Sequence, residues 1–393
     1  MWAFGITKKL ISDVTKRPLS DRLPSHGVER LDIPKPTIND NEVLIRVKSS
    51  SLNYNSIWSA LCHPLTPTQL ISSFIHRNPN QIDHLKEHYI FGSDAAGEIV
   101  ALGKNVQNWK IGNEVIIHCN IVDEFDSAIQ DDGMLSPSQS IWGYETNFGA
   151  FAEYTKVKCS QLIKKPKNLD WASAGSFCLT LSTAYRMLIS KNGARLKAGD
   201  TCLIWGGAGG LGSFAIQIAK LSGAKVVAIV SSDKKKKICY DLGADVVFNR
   251  KKEFPNKIIN EKGEPNYMAW KKIRTLLNKN NIDSINIVFE HVGRETLGLS
   301  TYLANRGGKV IICAATTGYL CTLDLRFLWM QLKTIIGSHF ANYNEASFAS
   351  DLIFNGKINP LIHSINDIEK LPEMMDKMYL GNTYGKIVFN HDE

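Results

Sequence analysis

The sequence of 393 residues contains no uninterrupted apolar run long enough to cross a bilayer. Its first residues, MWAFGITKKLISDVTKRP, also lack the basic segment, apolar stretch and small-residue cleavage site of a secretory signal. These absences argue against a membrane protein and against a secreted one. We therefore expect a cytoplasmic protein with no membrane partner.

Paired cysteines are also lacking, because the eight cysteines include no C-x-x-C pair and follow no regular spacing. A disulfide framework or a zinc-finger site would need such spacing. Two Cys and His neighbours, at 62–63 and 118–119, are possible metal ligands, but adjacent residues in a strand point to opposite faces. We therefore expect reduced thiols and no bound metal.

Long runs of one charge are scarce, and Lys234–Lys237 is the main basic cluster in a chain of formal charge +8. Scattered basic residues suit a small polyanionic ligand as well as they suit nucleic acid. Hydrophobic residues make up 44% and charged residues 21% of the chain, as in a soluble globular protein. The length exceeds what one core usually supports, so we expect two domains, and we expect no nucleic-acid partner.

What the sequence does contain is a glycine-rich stretch, TCLIWGGAGGLG, in which an apolar run breaks into five glycines. Gly207, Gly209 and Gly212 fit the G-x-G-x-x-G pattern, whose glycines serve the tight turn, the approach to a pyrophosphate and the packing of helix on strand. A helix over 213–221 and a second strand over 225–230 would complete a βαβ unit. A plain turn is the alternative, but this order predicts an α/β Rossmann fold, a doubly wound parallel sheet that binds a dinucleotide.

The end of the second strand bears on which dinucleotide binds. NAD-selective units usually place an acidic residue there, whereas this chain has Ser231 and Ser232 followed by Asp233 and four lysines. Hydroxyl and basic groups favour a 2′-phosphate, with Lys234 the nearest lysine, so we predict NADPH. Asp233 is either a ribose ligand or the N-cap of the next helix, and its position favours the cap.

Polar residues stand out at three further places. Asn53 and Asn55 follow a strand-like run and precede a helix-like one, so capping that helix is their plainest role. Glu145 lies in IWGYETNFG, which is either a packed turn with a solvated carboxylate or a functional loop. His291 follows a predicted strand, where open α/β sheets bind ligands, although a bond to backbone would explain it too.

Taken together, the motifs resemble the medium-chain dehydrogenase/reductase superfamily and, within it, the crotonyl-CoA carboxylase/reductase family. The matching blocks include SSLNYNSIW, GSDAAGEIV, IWGYETNFG, STAYRMLIS, LIWGGAGGLGSFAIQIA, VSSDKKK, IVFEHVGRETLG and LRFLWMQLKTIIGSHFANY. The resemblance implies a GroES-like catalytic domain over residues 1–182, completed by 340–393, and a Rossmann domain over 183–339. It also implies a homotetramer.

The resemblance assigns a carbon dioxide pocket to Asn55, Tyr144, Glu145 and His291. In that assignment Asn55 and His291 donate hydrogen bonds towards CO₂, and Glu145 fixes an ordered water or the imidazole. The cofactor-binding residues expected from the loop pattern and the resemblance are Thr183, Gly207, Gly209, Gly210, Leu211, Gly212, Ser231, Ser232, Lys234, His291 and Thr316.

The implied activity is NADPH-dependent reductive carboxylation of an α,β-unsaturated acyl-CoA to an alkylmalonyl-CoA. Zinc alcohol dehydrogenases of the superfamily carry Gly-His-Glu where this chain has Gly92, Ser93 and Asp94, and a cysteine where it has Asn53, so a zinc-free enzyme is expected. A plain enoyl-thioester or quinone reductase and a catalytically silent nucleotide sensor remain as alternatives. Retained polar groups at Asn55, Glu145 and His291 argue against the silent protein.

Overall fold

The structure is a computed structural model that describes residues 1–391. The chain divides into two compact units. The first unit comprises residues 1–179, 342–354 and the segment from Pro360 onwards, and the second comprises 180–341 and 355–359. We describe each unit by itself.

Strands occur in both units. In chain order they are β1 (Trp2–Thr7), β2 (Glu29–Asp32), β3 (Glu42–Ser51), β4 (His88–Ile90), β5 (Ala95–Leu102), β6 (Glu114–Ile117), β7 (Asn120–Ile121), β8 (Ser140–Ile141), β9 (Tyr154–Lys158), β10 (Leu162–Lys164), β11 (Thr201–Trp205), β12 (Lys225–Val230), β13 (Val246–Asn249), β14 (Ile287–Glu290), β15 (Lys309–Ile312), β16 (Thr334–Gly337), β17 (Ile362–Asp367) and β18 (Lys386–Asn390).

Helices alternate with the strands of the second unit and lie at intervals along the first. They are α1 (Lys8–Thr15), α2 (Tyr54–Leu61), α3 (Pro67–Arg77), α4 (Ile129–Asp132), α5 (Trp171–Ala174), α6 (Cys178–Leu188), α7 (Gly210–Leu221), α8 (Asp233–Asp241), α9 (Arg250–Glu253), α10 (Tyr267–Lys279), α11 (Leu297–Leu303), α12 (Leu325–Trp329), α13 (Tyr343–Phe354) and α14 (Leu371–Tyr379).

The second unit is built on a six-stranded parallel sheet in the order β13-β12-β11-β14-β15-β16. This is the 3-2-1-4-5-6 order of a Rossmann fold, with the strand order reversing beside β11. Its strands are rich in Val and Ile, and all except the edge strand β16 are largely buried, as expected when helices cover both faces of a parallel sheet. The predicted α/β class is confirmed.

The first unit contains a seven-stranded sheet in which β18 lies between β3 and β17. The pairing of β18 with β3 is antiparallel and sets Val388 opposite Ser51. On its other side β3 pairs with β5, and Ser50 lies opposite Ala95. The last strand therefore reaches the ends of β3 and β5, and the loops at those ends carry the polar residues described below.

Two hydrophilic segments contain buried structure that their polar composition does not indicate. In the segment 251–272, α10 begins at Tyr267, because Asn266 caps it and Trp270 lies buried on the same apolar face as Ile273. In the segment 123–140, Asp132 is buried together with Ser136, Ser138 and Ser140. The polar composition of this segment does not indicate burial, because these side chains form hydrogen bonds with one another and with nearby backbone groups instead of water.

Candidate active site

The phosphate-binding turn of the second unit joins β11 to α7. The residue with a left-handed conformation in this turn is Gly206, at φ +59°, which directly precedes Gly207. A Cβ on Gly206 would lie 2.8 Å from Nε2 of His291, so both conformation and space require glycine there. The sharpest bend of the loop therefore lies at Gly206, directly before the first glycine of the G-x-G-x-x-G pattern.

The other glycines of this turn divide their roles. A Cβ on Gly207 would meet Cβ of Ala228 at 2.9 Å, and one on Gly212 would meet the Gly206 carbonyl oxygen at 2.3 Å, so both allow close packing. Gly209 precedes α7, and a Cβ there would meet only that same carbonyl oxygen, at 3.3 Å. Gly209 thus leaves an open helix N-terminus where an anionic pyrophosphate would fit.

Three further predicted cofactor residues lie in helices of this unit, and a fourth, Thr316, lies in a loop after β15. Gly210 and Leu211 form the first turn of α7, whose N–H groups are not all used within the helix. Thr183 is buried in α6, and Thr316 follows β15, where its N–H donates to the His291 carbonyl at 3.3 Å. Thr316 thus lies at the carboxyl edge of the sheet, where dinucleotides bind.

The helix after β12 corrects one sequence interpretation. Ser232, and not Asp233, is the N-cap of α8, because its Oγ accepts the Lys235 N–H at 3.3 Å. Asp233 is the first helical residue, since the helix begins one position earlier than the cap assignment required. The Ser232 hydroxyl keeps its hydrogen for another acceptor, and Ser231 precedes it directly after the strand.

Asp233 is held by side chains of the neighbouring strand end. One carboxylate oxygen accepts from Nδ2 of Asn249 at 2.7 Å, and the other accepts from the ammonium of Lys252. The bond from Lys252, followed by that from Asn249, lowers the pKa of this carboxyl. The one acidic residue at this strand end is therefore paired with a cation, which favours a 2′-phosphate nearby.

The carboxyl end of β14 is organised by Glu290, whose side chain is fully buried. Oε1 accepts from the N–H of Val292 at 2.7 Å and from Oγ1 of Thr296 at 2.9 Å, and Oε2 accepts from Oγ of Ser300 at 2.6 Å. Ser300 in turn accepts from the indole N–H of Trp205 at 2.8 Å. One carboxylate thus ties the turn after β14 to the end of β11.

His291 lies in that turn, and its hydrogen bond defines its tautomer. Nε2 lies 2.9 Å from the carbonyl oxygen of Trp205, and a carbonyl only accepts, so Nε2 carries a hydrogen and donates. Burial lowers the pKa of the imidazole, more than Glu290 and Trp205 raise it, so the ring is neutral and Nδ1 is an acceptor. The Nε2 hydrogen of His291 is therefore bonded to backbone, as one of the two sequence interpretations has it, and the role of His291 towards CO₂ stays a prediction.

A second imidazole lies at the same edge of the sheet and was not among the predicted residues. His339 follows β16 by two residues and is exposed, whereas His291 is half-buried. The apolar pattern of 334–340 suits a single strand, but β16 ends at Gly337 and Phe340 has φ +46°, outside the extended region. A strand that ends at Gly337 places His339 just beyond the carboxyl end of β16, where open α/β sheets bind ligands.

In the first unit the loop Gly92–Asp94 is the centre of the polar residues. The amide of Asn55 pairs with the buried hydroxyl of Ser93, with Nδ2 at 2.8 Å from Oγ. Nδ2 of Asn53 donates to Oδ2 of Asp94 at 2.9 Å. Asn53 does occupy the N-cap position of α2, but its side chain makes no capping bond. The predicted capping bond is therefore replaced by a bond across to the next loop.

Glu145 belongs to a packed turn, but its carboxylate is not solvated. Its side chain is 17% exposed, Oε2 accepts from the Ile141 N–H at 2.8 Å, and Oε1 lies 3.6 Å from Nη2 of Arg77. Gly143 holds this turn against the central loop, because a Cβ there would meet the Gly92 carbonyl oxygen at 1.8 Å. Arg77 was missed because it lies in a segment whose sequence indicated no chemistry.

Tyr144 lies half-buried in the same turn and faces α2. Its ring centroid is 6.3 Å from that of Trp58, whose ring in turn contacts Tyr54 edge-on at 5.5 Å. Aromatic contacts of this kind stabilise a packed surface without fixing polar groups. Tyr144 therefore links α2, which carries Asn55, to the turn that carries Glu145.

The residues at the zinc-ligand positions of the superfamily do not fit a zinc ion. The ammonium of Lys386 donates to Oδ1 of Asn53 and, at 3.0 Å, to Oδ2 of Asp94. A catalytic zinc needs three protein ligands, usually Cys, His or carboxylate, and a cation already bonded to two of these side chains would repel it. Within residues 1–391, no three His, Cys, Asp or Glu side chains cluster as metal ligands would.

Two family models match the chain. The alcohol dehydrogenase GroES-like domain matches residues 39–167, and the zinc-binding dehydrogenase domain matches residues 210–355. A crotonyl-CoA reductase of Streptomyces collinus is 41% identical over 371 residues, which cover 93% of this chain and 82% of that protein. The chain belongs to the crotonyl-CoA carboxylase/reductase family. The crotonyl-CoA carboxylase/reductase of Cereibacter sphaeroides is 38% identical over 363 residues, covering 91% and 81% of the two chains.

Solved structures of the family agree with this membership. The 2-octenoyl-CoA carboxylase reductase CinF, in complex with NADP and 2-octenoyl-CoA, superposes with a TM-score of 0.94 at 36% identity, covering 99% of this chain and 87% of that one. The carboxylase/reductase AntE, in complex with NADP, superposes with a TM-score of 0.83 at 32% identity over 99% and 94% of the two chains. No helix among residues 1–391 has the length and apolarity needed to span a membrane.

Treatment with a strong chelator should leave the rate of the enzyme unchanged, because Lys386 bonds the side chains that a metal would need. The rate and the metal content of the dialysed protein are measured before and after treatment. Stoichiometric zinc whose removal abolishes turnover would contradict this expectation.

Proposed function

We propose that the protein is an NADPH-dependent reductive carboxylase of α,β-unsaturated acyl-CoA thioesters, with a short, crotonyl-like acyl chain. The observation that carries the proposal is the extended similarity to named carboxylase/reductases, one of them solved with NADP and an enoyl-CoA. The reaction joins an enoyl-CoA, CO₂ and NADPH to give an alkylmalonyl-CoA and NADP⁺. We also propose a cytoplasmic homotetramer, as the resemblance implies.

The second unit would hold the cofactor. Its pyrophosphate fits the N-terminus of α7 at Gly209, and its 2′-phosphate fits the hydroxyls of Ser231 and Ser232 with Lys234 beside them. When bound, NADPH supplies a hydride to C3 of the enoyl thioester. His291 would keep the phosphate turn in place through its bond to the Trp205 carbonyl.

The enolate that then forms at C2 can capture either CO₂ or a proton. We propose that Asn55 donates to an oxygen of CO₂, because an amide nitrogen carries two hydrogens and one of them is bonded to Ser93. Glu145, held by Arg77 and the Ile141 N–H, would orient a water or an imidazole as an acceptor. We propose His339 as a further imidazole donor, because it is exposed at the carboxyl edge of the same sheet as His291.

The enzyme should prefer NADPH over NADH by roughly a hundredfold or more in kcat/KM. Two charge-assisted bonds to the 2′-phosphate, at about 1.5 to 3 kcal/mol each, give such a ratio at about 1.4 kcal/mol per decade. Steady-state kinetics with both cofactors measure it. Equal efficiencies would mean that the carboxylate of Asp233 binds the ribose despite its bonds to Asn249 and Lys252.

The function is tested by incubating the enzyme with NADPH and crotonyl-CoA, with and without saturating bicarbonate, and analysing the product by mass. The proposal expects ethylmalonyl-CoA when bicarbonate is present and slower formation of butyryl-CoA when it is absent. Butyryl-CoA alone under both conditions would identify a plain reductase. Absence of any turnover, with NADPH still bound, would identify a nucleotide-sensing protein.

A further inference from the structure

Lys386 is an unusually buried cation in the first unit. Its side chain and that of Asp94 are each 1% exposed, and the two charges lie 3.0 Å apart. Burial lowers the pKa of the Lys386 ammonium more than the carboxylate of Asp94 raises it. Desolvating two charges offsets most of their attraction, so a buried pair of this kind is weak as a source of stability.

The ion pair adjoins the loop that holds Asn55, which is one of the residues proposed to receive CO₂. Asp94 precedes β5 and follows Ser93, whose hydroxyl pairs with Asn55. Asn53 joins both members of the pair, since its Oδ1 accepts from Lys386 and its Nδ2 donates to Asp94. Two neighbouring side-chain links, Asn53 to Asp94 and Asn55 to Ser93, therefore hold the first turn of α2 on the central loop.

The Asn53 side chain makes no capping bond at the start of α2, because its amide bonds Asp94 instead. The other oxygen of Asp94 accepts from the Leu179 N–H at 2.7 Å, which anchors the carboxylate itself. Lys386 and Asp94 therefore bond opposite ends of the Asn53 amide, which lies at the start of the turn that carries Asn55. Amide orientation matters at Asn55, where a single donor would face a small electrophile.

We propose that Lys386 and Asp94 are positioning residues that, through Asn53, set the orientation of Asn55 and thereby favour capture of CO₂ over protonation. This inference rests on the proposed function and adds residues that neither the sequence patterns nor the family resemblance assigned a role. Lys386 is 333 positions from Asn53 and reaches it because β18 pairs with β3. An ammonium thereby supports these side chains where other members of the superfamily carry zinc ligands.

The test compares Lys386→Met and Asn53→Ala with the unmodified enzyme, using the ratio of carboxylated to merely reduced product at saturating bicarbonate. Both variants should lower this ratio by roughly tenfold, the effect of misplacing one hydrogen-bonding group, while the rate of NADPH oxidation falls much less. Lys165→Met is the matched control, because Lys165 is also a buried cation of the first unit, 2.9 Å from Glu114. It should leave the product ratio unchanged.

If Lys386→Met fails to fold, Asn53→Ala tests the positioning role by itself, because it leaves the ion pair of Lys386 and Asp94 intact and no buried charge unpaired. Hydrogen exchange of the peptide 53–61 supplies a readout that does not depend on carboxylation, and both variants should exchange faster there. Unchanged exchange and an unchanged product ratio in folded Asn53→Ala would overturn the positioning role. An unmodified enzyme that yields only the reduced thioester would instead refute the proposed function, and exchange would still report on positioning.

Discussion

Replacing Glu290 with alanine should lower the free energy of unfolding of the second unit by about 3 to 5 kcal/mol. The carboxylate is fully buried and accepts from Val292, Thr296 and Ser300. Without it these donors stay buried without an acceptor, and each such group costs about 1 to 3 kcal/mol, although the costs do not add fully. Differential scanning calorimetry and urea unfolding measure the loss.

Glu290→Gln separates the loss of acceptors from the loss of charge. The amide oxygen still accepts from Val292 and Thr296, whereas the amide nitrogen facing Ser300 leaves the hydroxyl hydrogen without an acceptor. We expect a loss of about 1 kcal/mol for this variant. Glu261→Ala, at a side chain that is 90% exposed, should change stability by less than about 0.5 kcal/mol. Equal stability of Glu290→Ala and Glu261→Ala would show that the network is not a stabilising one.

Local pattern was sufficient for much of the second unit. Its strands are apolar runs that end in glycine or polar residues, so β12 was placed at the observed bounds and β11 preceded the glycines as expected. The pattern did not identify which glycine adopts positive φ, because Gly206 and Gly207 are adjacent and only the path of the chain distinguishes them. Likewise Ser and Asp are both favoured at N-caps, so the sequence could not tell whether the helix begins after Ser232 or after Asp233.

The residues that sequence reasoning missed depend on partners far along the chain. Arg77 meets Glu145, and Lys386 meets Asn53, only after the sheet has formed. Neither Arg nor Lys carries a local motif, so its neighbours could not be inferred from spacing. The bond of His291 could not be inferred from spacing for a related reason, because its acceptor is the carbonyl of Trp205, 86 positions away.

The product ratio itself should respond most to the residues that face CO₂. Asn55→Leu removes a donor, and Glu145→Ala removes the acceptor that Arg77 and the Ile141 N–H hold in place. Each loss of about 1 to 3 kcal/mol shifts the ratio of carboxylated to reduced product by roughly tenfold to a hundredfold towards the reduced thioester. The rate of hydride transfer should fall less, because that step precedes capture of CO₂.

Substitution of His339 and of His291 should have different effects on the product ratio. His339→Asn should lower the share of carboxylated product, whereas His291→Asn should weaken NADPH binding and lower both products together, because His291 holds the phosphate turn.

The matched control for the product ratio is Asn382→Leu, since Asn382 is exposed in the first unit and bears on neither product. Water is abundant and CO₂ is scarce, so a site that carboxylates must hold CO₂ at C2 and keep proton donors away. The variants report whether these residues do so. If the unmodified enzyme, saturated with CO₂, releases only the reduced thioester, protonation wins at C2 and these residues serve a plain reductase.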